Sequence, residues 1–564
     1  MDAPEERAVA AGTVSQAPSR KVSRFSRFSH TADDIARDKE ASGVTEINAR
    51  VTLYVVLCCI VASFGGVLFG YDAGITGGVE TSKQFALWFF PDTASNAQSS
   101  FWCRFNDNKL QAYSATMHFT GAVASIPAGY VTQKYGRTKS MVIAGGAYIA
   151  GAIAQALSWN TYAPLFLGRV LWGIGVGFGD HCAFIYCAEM APPQWRGLLA
   201  AGVQANVFTG ILVANCLNLG FNYVKAGWRL SLALAAVPGT ILLLGGLFLY
   251  DTPNSLMERG HPEKARKVLE KVRGTKNVDD ELALLGRATD IAKASENPFK
   301  ALCFRRKNIP QLVLCIAFPF FQQWSGVNAV SFFAPQIFGG SSILGEGNLG
   351  ELSSAILVDG VECIAGWITV LIVDRIGRRV LLIPGCGMGA STLIAAGVVL
   401  KYETMGHLTL AKGSAAATVI LVGLYTISFG FGLGPIAWLV PAEIHDINTR
   451  AAGQSFTVFT QLISGAIITQ VFLKMLCSLQ YWAFIFFGLW QAIACIFFIF
   501  LQPETNGIPI EQVPDYVRAH KIWRYVAYPG GRIPAAADPV NLAKQREQAK
   551  EIKGHEATNP SPKV

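Results

Sequence analysis

Charged residues are scarce in this chain of 564 residues: Asp, Glu, Lys and Arg together make up 15%, whereas hydrophobic residues make up 51%. Soluble globular domains carry about a quarter charged residues, so this composition excludes an ordinary soluble enzyme and indicates a protein that crosses a membrane many times. The N-terminal tail also lacks an early apolar run. We therefore expect no cleaved secretory signal, and the first crossing is expected to direct insertion.

The sequence also lacks the short motifs that mark many enzymes and metal proteins. It contains no Walker loop, no nucleophile elbow in a suitable loop and no C-x-x-C cysteine pair of a zinc site. Most cysteines stand inside apolar runs, where a small buried hydrophobic side chain is the ordinary interpretation. These absences argue against an enzyme, a bound cofactor and a metal site.

What the chain does contain is a series of long apolar runs. Each has about 20 residues, which is enough to cross a hydrocarbon core of about 30 Å. The predicted crossings are 51–75, 110–132, 139–158, 162–187, 198–220, 228–250, 310–338, 353–373, 379–400, 414–441, 451–474 and 482–501.

A charged stretch separates the first six runs from the last six. Its charges alternate with Leu and Val at helical spacing, which predicts short amphipathic helices at the cytoplasmic face. An outside loop is expected at about 79–109, and the composition beyond Tyr528 predicts disorder. We thus expect an N-terminal tail at 1–50, a six-helix half at 51–250, a linker at 251–309, a second six-helix half at 310–501 and a C-terminal tail at 502–564.

The net charge of +9 reflects membrane topology rather than nucleic-acid binding, because the basic residues fall in alternate loops. The positive-inside rule makes those loops and both termini cytoplasmic. The opposite loops at 158–163 and 339–351 carry no Lys or Arg. Cys103 and Cys477 fall on that opposite, oxidising side, where a disulfide between them is allowed.

Two motifs occur once in each half at matching places. Glu189 stands seven residues before Arg196, and Glu443 stands seven residues before Arg450. A short basic turn also lies between two earlier apolar runs of each half. This repetition is typical of a duplicated membrane transporter. The acids and arginines predict ion-pair networks that close a cytoplasmic gate, with topology alone as the alternative; the gate set is Arg137, Glu189, Arg196, Asp374, Arg378, Arg379, Glu443 and Arg450.

Motifs spread over most of the chain carry a resemblance to one family. They are G-G-V-L-F-G-Y-D at 65–72, G-R at 168–169, F-F-Q-Q-W-S-G-V-N at 320–328, D-R-I-G-R-R at 374–379, G-P-I-A-W-L-V-P-A-E at 434–443 and P-E-T-N-G at 503–507. From about Val51 to Gln512 the chain resembles the sugar porters of the major facilitator superfamily, and within them the plant sugar transport proteins and green-algal hexose/proton symporters. The resemblance implies an all-α membrane protein with twelve transmembrane helices in two six-helix halves.

The same resemblance implies proton-coupled uptake of a monosaccharide, such as the hexose glucose, by alternating access. The proton would be the coupling ion with no other cofactor, and the partners would be a sugar and the lipid bilayer. We expect the protein to function as a monomer and to lie in the plasma membrane. A facilitator, a carrier of a polyol or another solute, and a transporter-like nutrient sensor are the alternatives. Asp72 favours the symporter because facilitative relatives typically lack an acid there.

Asp72 and Arg169 are opposite charges inside apolar segments, where an unpaired charge is costly. A carboxylate beside an arginine stays ionised, whereas separation or dehydration lets it take up a proton. The pair is therefore either a proton switch or a fixed link between two helices. The resemblance implies the switch, in which the acid loads the proton and the arginine biases its release.

A sugar is neutral and covered with hydroxyls, so its site needs amides for hydrogen bonds and an aromatic face for stacking. Two adjacent glutamines and an asparagine in the seventh crossing exceed what helix-to-helix hydrogen bonding, the alternative, requires. Phe69, Ile211 and Gly434 would add apolar or close contacts. The pocket residues implied by the resemblance are Gln204, Gln322, Gln323, Asn328 and Trp438.

Several positions depart from the family pattern. Glu362 replaces a sugar-binding asparagine, and Asp359 lies one turn before it on the same helical face. Glu362 could bind sugar as a neutral acid, select a polyol or cationic solute, or pair with a local cation. Gln461 keeps an amide where an asparagine is usual. The other departures are Phe208 for a threonine, Asp180 and His181 for an Asn-Gln pair, and Phe184 for a proline.

Overall fold

A computed structural model of the protein describes residues 52–80, 82–91, 103, 107–159, 161–192, 195–279, 281–283, 285–286, 289, 297–328, 330, 348–404, 412–506, 508 and 513–531. All of them belong to one compact unit, Asn48–Pro539. The expectations for the tail at 1–50 and for disorder beyond 531 lie outside this description. Pro529–Gly531, just beyond Tyr528, form a short 3-10 helix.

Twelve helical segments in the described part correspond to the twelve predicted crossings. The N-terminal half contains α1 Leu53–Glu80, α2 Asn108–Tyr135, α3 Arg137–Ala156, α4 Tyr162–Met190, α5 Arg196–Phe221 and α6, which consists of Gly227–Leu234 and Ala236–Phe248. The C-terminal half contains α7 Ile309–Trp324, α8 Asn348–Ile376, α9 Arg378–Thr404, α10, which consists of Lys412–Phe431 and Leu433–Glu443, α11 Arg450–Leu479 and α12 Trp482–Leu501. Within the described residues, nine of these segments are long and apolar enough to cross a membrane.

Among its described residues, the segment between the halves includes the short helices Pro253–Glu258, Pro262–Arg273 and Pro298–Phe304. The start of α1 contacts this segment, because Thr52 Oγ1 donates a hydrogen bond to the carbonyl oxygen of Val272 at 3.1 Å. We call this side of the molecule the inner face, and the side where α1 ends the outer face.

At the outer face α1 is longer than predicted. It continues to Glu80 instead of ending at 75, and Lys83–Phe89 form a helix in the segment predicted as a loop. The rings of Phe85 and Phe89 are buried against Trp228, with centroids 5.4 and 5.8 Å away. Tertiary packing of these rings therefore orders a segment whose local sequence gives no helical signal.

Glycines let α1 pack closely against α5. A Cβ atom on Gly66 would lie 2.5 Å from the carbonyl oxygen of Val203, and a Cβ atom on Gly74 would lie 2.5 Å from that of Ile211. A Cβ atom on Gly70 would overlap the carbonyl of Val207. Small residues at every fourth position allow such backbone contact in a membrane. The other face of α1 is thereby turned toward α2 and α4.

Helices of the two halves meet at two long contacts, α2 with α11 and α5 with α8. Helices α7 and α10 are interrupted between these two contacts. In α10 the sequence carries Gly430, Gly432, Gly434 and Pro435, residues that favour a break in a membrane helix where it lines a cavity. That helix breaks at Gly432, whose φ and ψ are −110° and −98°. Helix α7 ends at Trp324, and Gly326 has a φ of +91°, which a residue with a side chain rarely adopts. Both breaks lie next to the expected pocket residues.

Candidate functional site

An ion pair between α1 and α4 is fully buried in the N-terminal half. Asp72 and Arg169 both have side chains that are 0% exposed, and Arg169 Nη1 donates a hydrogen bond to Asp72 Oδ1. Arg169 Nη2 donates to Thr76 Oγ1 at 2.9 Å, and Thr76 Oγ1 donates to Asp72 Oδ1 at 3.4 Å. Asp72 Oδ2 is buried without a hydrogen-bond partner, so this oxygen can take up a proton without breaking an existing bond.

Aromatic rings cover this ion pair on its outer side. The guanidinium carbon of Arg169 lies 4.0 Å from the centroid of the Tyr113 ring. Tyr113 in turn contacts the rings of Phe85 and Phe90, with centroids 5.8 and 6.1 Å away. A desolvated cation is attracted to an aromatic face, so the ring contact stabilises Arg169 while the apolar cap keeps water out.

The amides of α7 lie beside the break in that helix. Gln322 Nε2 donates to the carbonyl oxygen of Gly434 in α10 at 2.8 Å. Gln322 Oε1, Gln323 Oε1 and Asn328 Nδ2 are all buried without a hydrogen-bond partner. Leaving such a group unsatisfied costs about 1–3 kcal/mol, so the cluster is suited to bind a solute that supplies hydroxyls.

Side chains from both halves meet beside these amides. A Cβ atom on Gly465 of α11 would lie 3.0 Å from Asn328 Nδ2 and 2.7 Å from His118 Cδ2 of α2. His118 contacts the ring of Phe69 in α1, with centroids 5.8 Å apart. Gln461 lies one turn before Gly465 on the same face of α11, and its Oε1 is buried without a partner. Four helices thus converge on one buried region.

Helices α4, α5 and α10 add aromatic contacts between the halves. The buried residues on one face of α5 are Gln204, Phe208 and Ile211. The ring of Phe208 contacts that of Phe429 at 6.2 Å, and a Cβ on Gly434 would lie 3.0 Å from Phe208 Cζ. Trp438 stacks on Phe184 of α4, with centroids 4.5 Å apart and planes 1° from parallel. Phe184 and Phe208, two of the departures, therefore fill the contact between the halves.

The acids of α8 are buried in the same interface. Asp359 Oδ2 accepts a hydrogen bond from Asn215 Nδ2 of α5 at 2.6 Å, which joins the two halves. Asp359 Oδ1 and Glu362 Oε1 are buried without a hydrogen-bond partner. The other polar departures lie in α4, where His181 Nε2 is 3.1 Å from the carbonyl oxygen of Ala451 and Asp180 Oδ2 is buried without a partner.

An ion-pair network occupies the inner face of the N-terminal half. Arg137 Nη2 pairs with Glu189 Oε1 at 2.7 Å, and Nη1 pairs with Glu258 Oε2 at 2.8 Å. The backbone N–H of Arg137 donates to Asp251 Oδ1 at 3.1 Å. Glu189 Oε2 accepts a hydrogen bond from Thr252 Oγ1 at 2.5 Å.

The C-terminal half repeats this network. Arg378 Nη2 pairs with Glu443 Oε1 at 3.0 Å and with Asp374 Oδ1 at 2.9 Å. The backbone N–H of Arg378 donates to Glu504 Oε1 at 3.1 Å, and Glu443 Oε2 accepts from Thr505 Oγ1 at 3.1 Å. Each half therefore holds an arginine, a glutamate, a second acid that accepts the arginine N–H, and a threonine.

The two networks touch across the interface between the halves. Asp374 Oδ2 accepts a hydrogen bond from the backbone N–H of Leu198 at 2.9 Å. Arg450 in the C-terminal half lies near enough to Glu189 in the N-terminal half for their opposite charges to attract. The hydrogen bond of Asp374 joins the inner ends of the halves, and this attraction acts in the same sense.

The remaining arginines of the predicted gate contact backbone carbonyls. Arg196 Nε donates to the carbonyl oxygen of Ala188 at 3.1 Å, and Arg379 Nη1 donates to that of Gln502 at 3.0 Å. Of the two arginines that the sequence offered as partners of Glu443 in the basic turn, Arg378 forms the ion pair.

At the outer face Cys103 and Cys477 are joined by a disulfide, with Cα atoms 4.6 Å apart. The bond links the segment between α1 and α2 to the end of α11. It therefore connects the N-terminal half to the C-terminal half on the side opposite the ion-pair networks.

Two buried polar residues, Glu80 and Asn215, are absent from the residues that the sequence predicts for the site. The apolar run of the first crossing ends at 75 and so places Glu80 in the outside loop, although its spacing of eight residues from Asp72 puts both on one face of a longer helix. Asn215 carries no motif, and only the packing of α5 on α8 brings it to Asp359.

Comparisons with known proteins agree with this architecture. Residues 58–516 match the family described as "Sugar (and other) transporter". Sugar transport protein 10 of Arabidopsis thaliana is 39% identical over 485 residues, which cover 84% of this chain and 93% of the relative. Hexose carrier protein HEX6 of Ricinus communis is 39% identical over 488 residues, which cover 85% of this chain and 95% of the relative.

Solved structures show the same fold. The proton:xylose symporter XylE bound to 6-bromo-6-deoxy-D-glucose superposes with a TM-score of 0.71 at 22% identity, over 82% of this chain and 99% of that one. The inward-open conformation of the xylose transporter XylE from E. coli gives a TM-score of 0.62 at 22% identity, over 81% of this chain and 99% of that one. The fold is therefore that of the major facilitator superfamily, and the chain belongs to the family of sugar (and other) transporters.

Proposed function

We propose that this protein takes up a monosaccharide together with a proton by alternating access. The observation that carries the proposal is a fully buried ion pair, Asp72 with Arg169, in which one carboxylate oxygen has no hydrogen-bond partner, together with a cluster of buried amides contributed by both halves. The names of the relatives, which include sugar and hexose carriers, support a sugar as cargo. XylE, which has the same fold, is named a proton:xylose symporter.

The coupling follows from the chemistry of the ion pair. When Asp72 is ionised it holds Arg169 and thereby α1 against α4. Protonation neutralises the carboxyl, weakens that attraction and lets the two helices separate. Phe69, which lies one turn before Asp72 on α1, contacts His118 beside the amide cluster, so a movement of α1 reaches the sugar pocket.

In this proposal the amides Gln204, Gln322, Gln323, Asn328 and Gln461 bind the hydroxyls of the sugar. Trp438 supplies the aromatic face, with Phe69, Ile211 and Gly434 as close contacts. Glu362 completes the pocket as a neutral acid, which both donates and accepts a hydrogen bond. A polyol or cationic solute is the second candidate cargo, favoured by the burial of Glu362 and Asp359 without an ion pair among the described residues.

The two inner networks serve as the cytoplasmic gate. The proposal is that they hold the inner ends of the halves together while the pocket is open to the outside, and that they separate when it opens inward. It further places the protein in the plasma membrane as a working monomer with both termini in the cytoplasm. The basic residues of the inner loops support this orientation.

Uptake of labelled glucose in a transport-deficient cell tests the proposal. Uptake should rise as the external pH falls, reach an accumulation ratio well above one, and collapse with a protonophore. Competition by other hexoses, pentoses, polyols and cationic solutes would identify the cargo. Transport that only equilibrates and ignores the protonophore would instead indicate a facilitator.

A further inference from the structure

A second buried carboxyl lies at the outer end of the helix that carries Asp72. Glu80 is the last residue of α1 and is 1% exposed. Its Oε1 accepts a hydrogen bond from Ser114 Oγ of α2, and its Oε2 is buried without a hydrogen-bond partner. No step of the coupling described above uses this carboxyl.

Glu80, Thr76 and Asp72 follow one another at intervals of four residues, so they form a row along one face of α1 with steps of about 6 Å. Thr76 Oγ1 already contacts Asp72 Oδ1 and Arg169 Nη2, at 3.4 and 2.9 Å. The row runs from the ion pair to the outer face. These side chains therefore provide a polar path from the outer face to Asp72.

The path passes beside an apolar cap. Phe85 and Phe90 contact Tyr113, which covers Arg169. Such a cap excludes water from the ion pair and would also slow the arrival of protons. The carboxyl of Glu80, at the edge of the cap, provides a group that can bind and release a proton, which the rings cannot do.

Ser114 allows Glu80 to exist in both protonation states. Its Oγ is within hydrogen-bonding reach of Glu80 Oε1 and, at 3.0 Å, of the carbonyl oxygen of Leu110. A hydroxyl has a single hydrogen but can also accept. It can donate to Glu80 when the carboxyl is ionised, and it can donate to Leu110 while accepting from Glu80 when the carboxyl is protonated.

We propose that Glu80 is the group that takes up the proton from the outer solution and passes it to Asp72. The carboxylate of Glu80 binds one proton and becomes neutral. The same proton then moves through the Thr76 hydroxyl or a water to Asp72, and Glu80 returns to its ionised state. This inference rests on the proposed coupling at Asp72.

Two charged groups act on the ionisation of Glu80. Arg169 of α4 attracts the ionised form, whereas Asp72 on the same helix repels it. Tyr113 also acts on it from α2, whereas α5 packs on the opposite side of α1, where the neutral amide of Asn218 lies against Gly78. Two ionised carboxyls on one helix repel each other, so a proton on either Glu80 or Asp72 relieves that repulsion, and Glu80 can be ionised again without it once Asp72 holds the proton.

The test replaces Glu80 with glutamine in the full-length protein. Glu80→Gln keeps an oxygen that can accept from Ser114 but cannot exchange a proton. We expect the initial rate of sugar uptake at neutral external pH to fall about tenfold or more, and acidification to restore part of it. The steady-state accumulation ratio should stay at the wild-type value, because Asp72 still couples the proton to the sugar.

The controls separate this role from a structural one. Glu263→Gln removes an exposed carboxyl from the linker and should change neither rate nor pH profile, while Glu80→Asp should retain the wild-type pH profile at reduced rate. Wild-type rates at every pH in Glu80→Gln would overturn the inference. If that variant fails to reach the membrane, Ser114→Ala decides: the inference requires slower, pH-dependent uptake, and unchanged uptake rejects it.

The same measurements distinguish failure of the proposed coupling at Asp72 from failure of the proposed proton transfer by Glu80. Accumulation that persists in Asp72→Asn would reject the coupling at Asp72 and, with it, the relay. If accumulation is lost in Asp72→Asn while Glu80→Gln keeps wild-type kinetics, only the proposed transfer from Glu80 to Asp72 is rejected.

Discussion

At the scale of single residues, the proposed coupling of transport to protons depends on Asp72. Asp72→Asn keeps the shape of the side chain but removes the charge that balances Arg169. We expect uphill accumulation to fall to equilibration, while sugar exchange across the membrane persists. Proteoliposomes with an imposed pH gradient provide the measurement, and full accumulation in this variant would reject the switch in favour of a fixed link.

Glu362 is the residue whose proposed role differs between the candidate cargoes. If it binds sugar as a neutral acid, Glu362→Asn should retain glucose uptake with an altered KM, since the amide also donates and accepts hydrogen bonds. If it binds a cationic solute, the same change should abolish competition by that solute. Competition profiles of wild type and variant distinguish the two outcomes. Unchanged selectivity would dismiss a role in substrate binding and leave Glu362 with a local partner.

At the scale of elements, α1 has two faces with separate tasks. Gly66, Gly70 and Gly74 form the face against α5, and the row from Asp72 to Glu80 lies about 200° around the helix from them. The glycine contact therefore fixes how far the acids project toward α2 and α4. Packing and proton coupling are linked through the position of one helix.

This link predicts the effect of Gly70→Ala. The added methyl group would overlap the carbonyl of Val207, so α1 must move away from α5. Overpacking of this kind costs about 1–3 kcal/mol. We expect a lower thermal midpoint of the detergent-solubilised protein and weaker coupling. Gly202→Ala is the matched control, because nothing lies within 4 Å of its Cβ; an equal loss in both variants would contradict the packing argument.

The elements differ in how well the sequence predicts them. Apolar length and the positive-inside pattern predict the twelve segments, and Gly430 to Pro435 predict the break in α10, because these signals are local. The outer end of α1 and the helix Lys83–Phe89 depend on rings packing against Trp228, which no local pattern encodes. Likewise, motif spacing predicts Glu443 as a gate residue but cannot choose between Arg378 and Arg379 as its partner in the basic turn.

At the scale of the whole molecule, the duplication extends beyond the loop motifs. In each half the chain that follows the sixth helix returns to the inner network: Asp251 binds the N–H of Arg137, and Glu504 binds the N–H of Arg378. Each half therefore closes its own network with its own final segment. At the inner face the hydrogen bond of Asp374 with Leu198 joins the two halves.

Such an arrangement predicts that weakening one network opens the inner face without unfolding either half. Glu443→Gln removes the charge that pairs with Arg378 at 3.0 Å. Arg378 also pairs with Asp374, which makes the contact with Leu198 of the other half, so the loss is expected to reach the interface. A hydrogen bond between charged groups contributes about 1.5–3 kcal/mol, which sets an upper bound of roughly tenfold to a hundredfold on the shift toward the inward-open state. Hydrogen–deuterium exchange should rise in the segments between α4 and α5 and between α10 and α11.

The segments in which exchange rises show whether Glu443 holds the gate closed or stabilises its own half. Helices α1 to α6 should exchange as in the wild type, because the network around Arg137 is intact and each half moves as a rigid unit. Glu263→Gln, an exposed change in the linker, should leave the whole pattern unchanged. Faster exchange throughout α7 to α12 would mean that Glu443 stabilises its half rather than the gate, and unchanged exchange in both inner segments would show that the network does not hold the inner face closed.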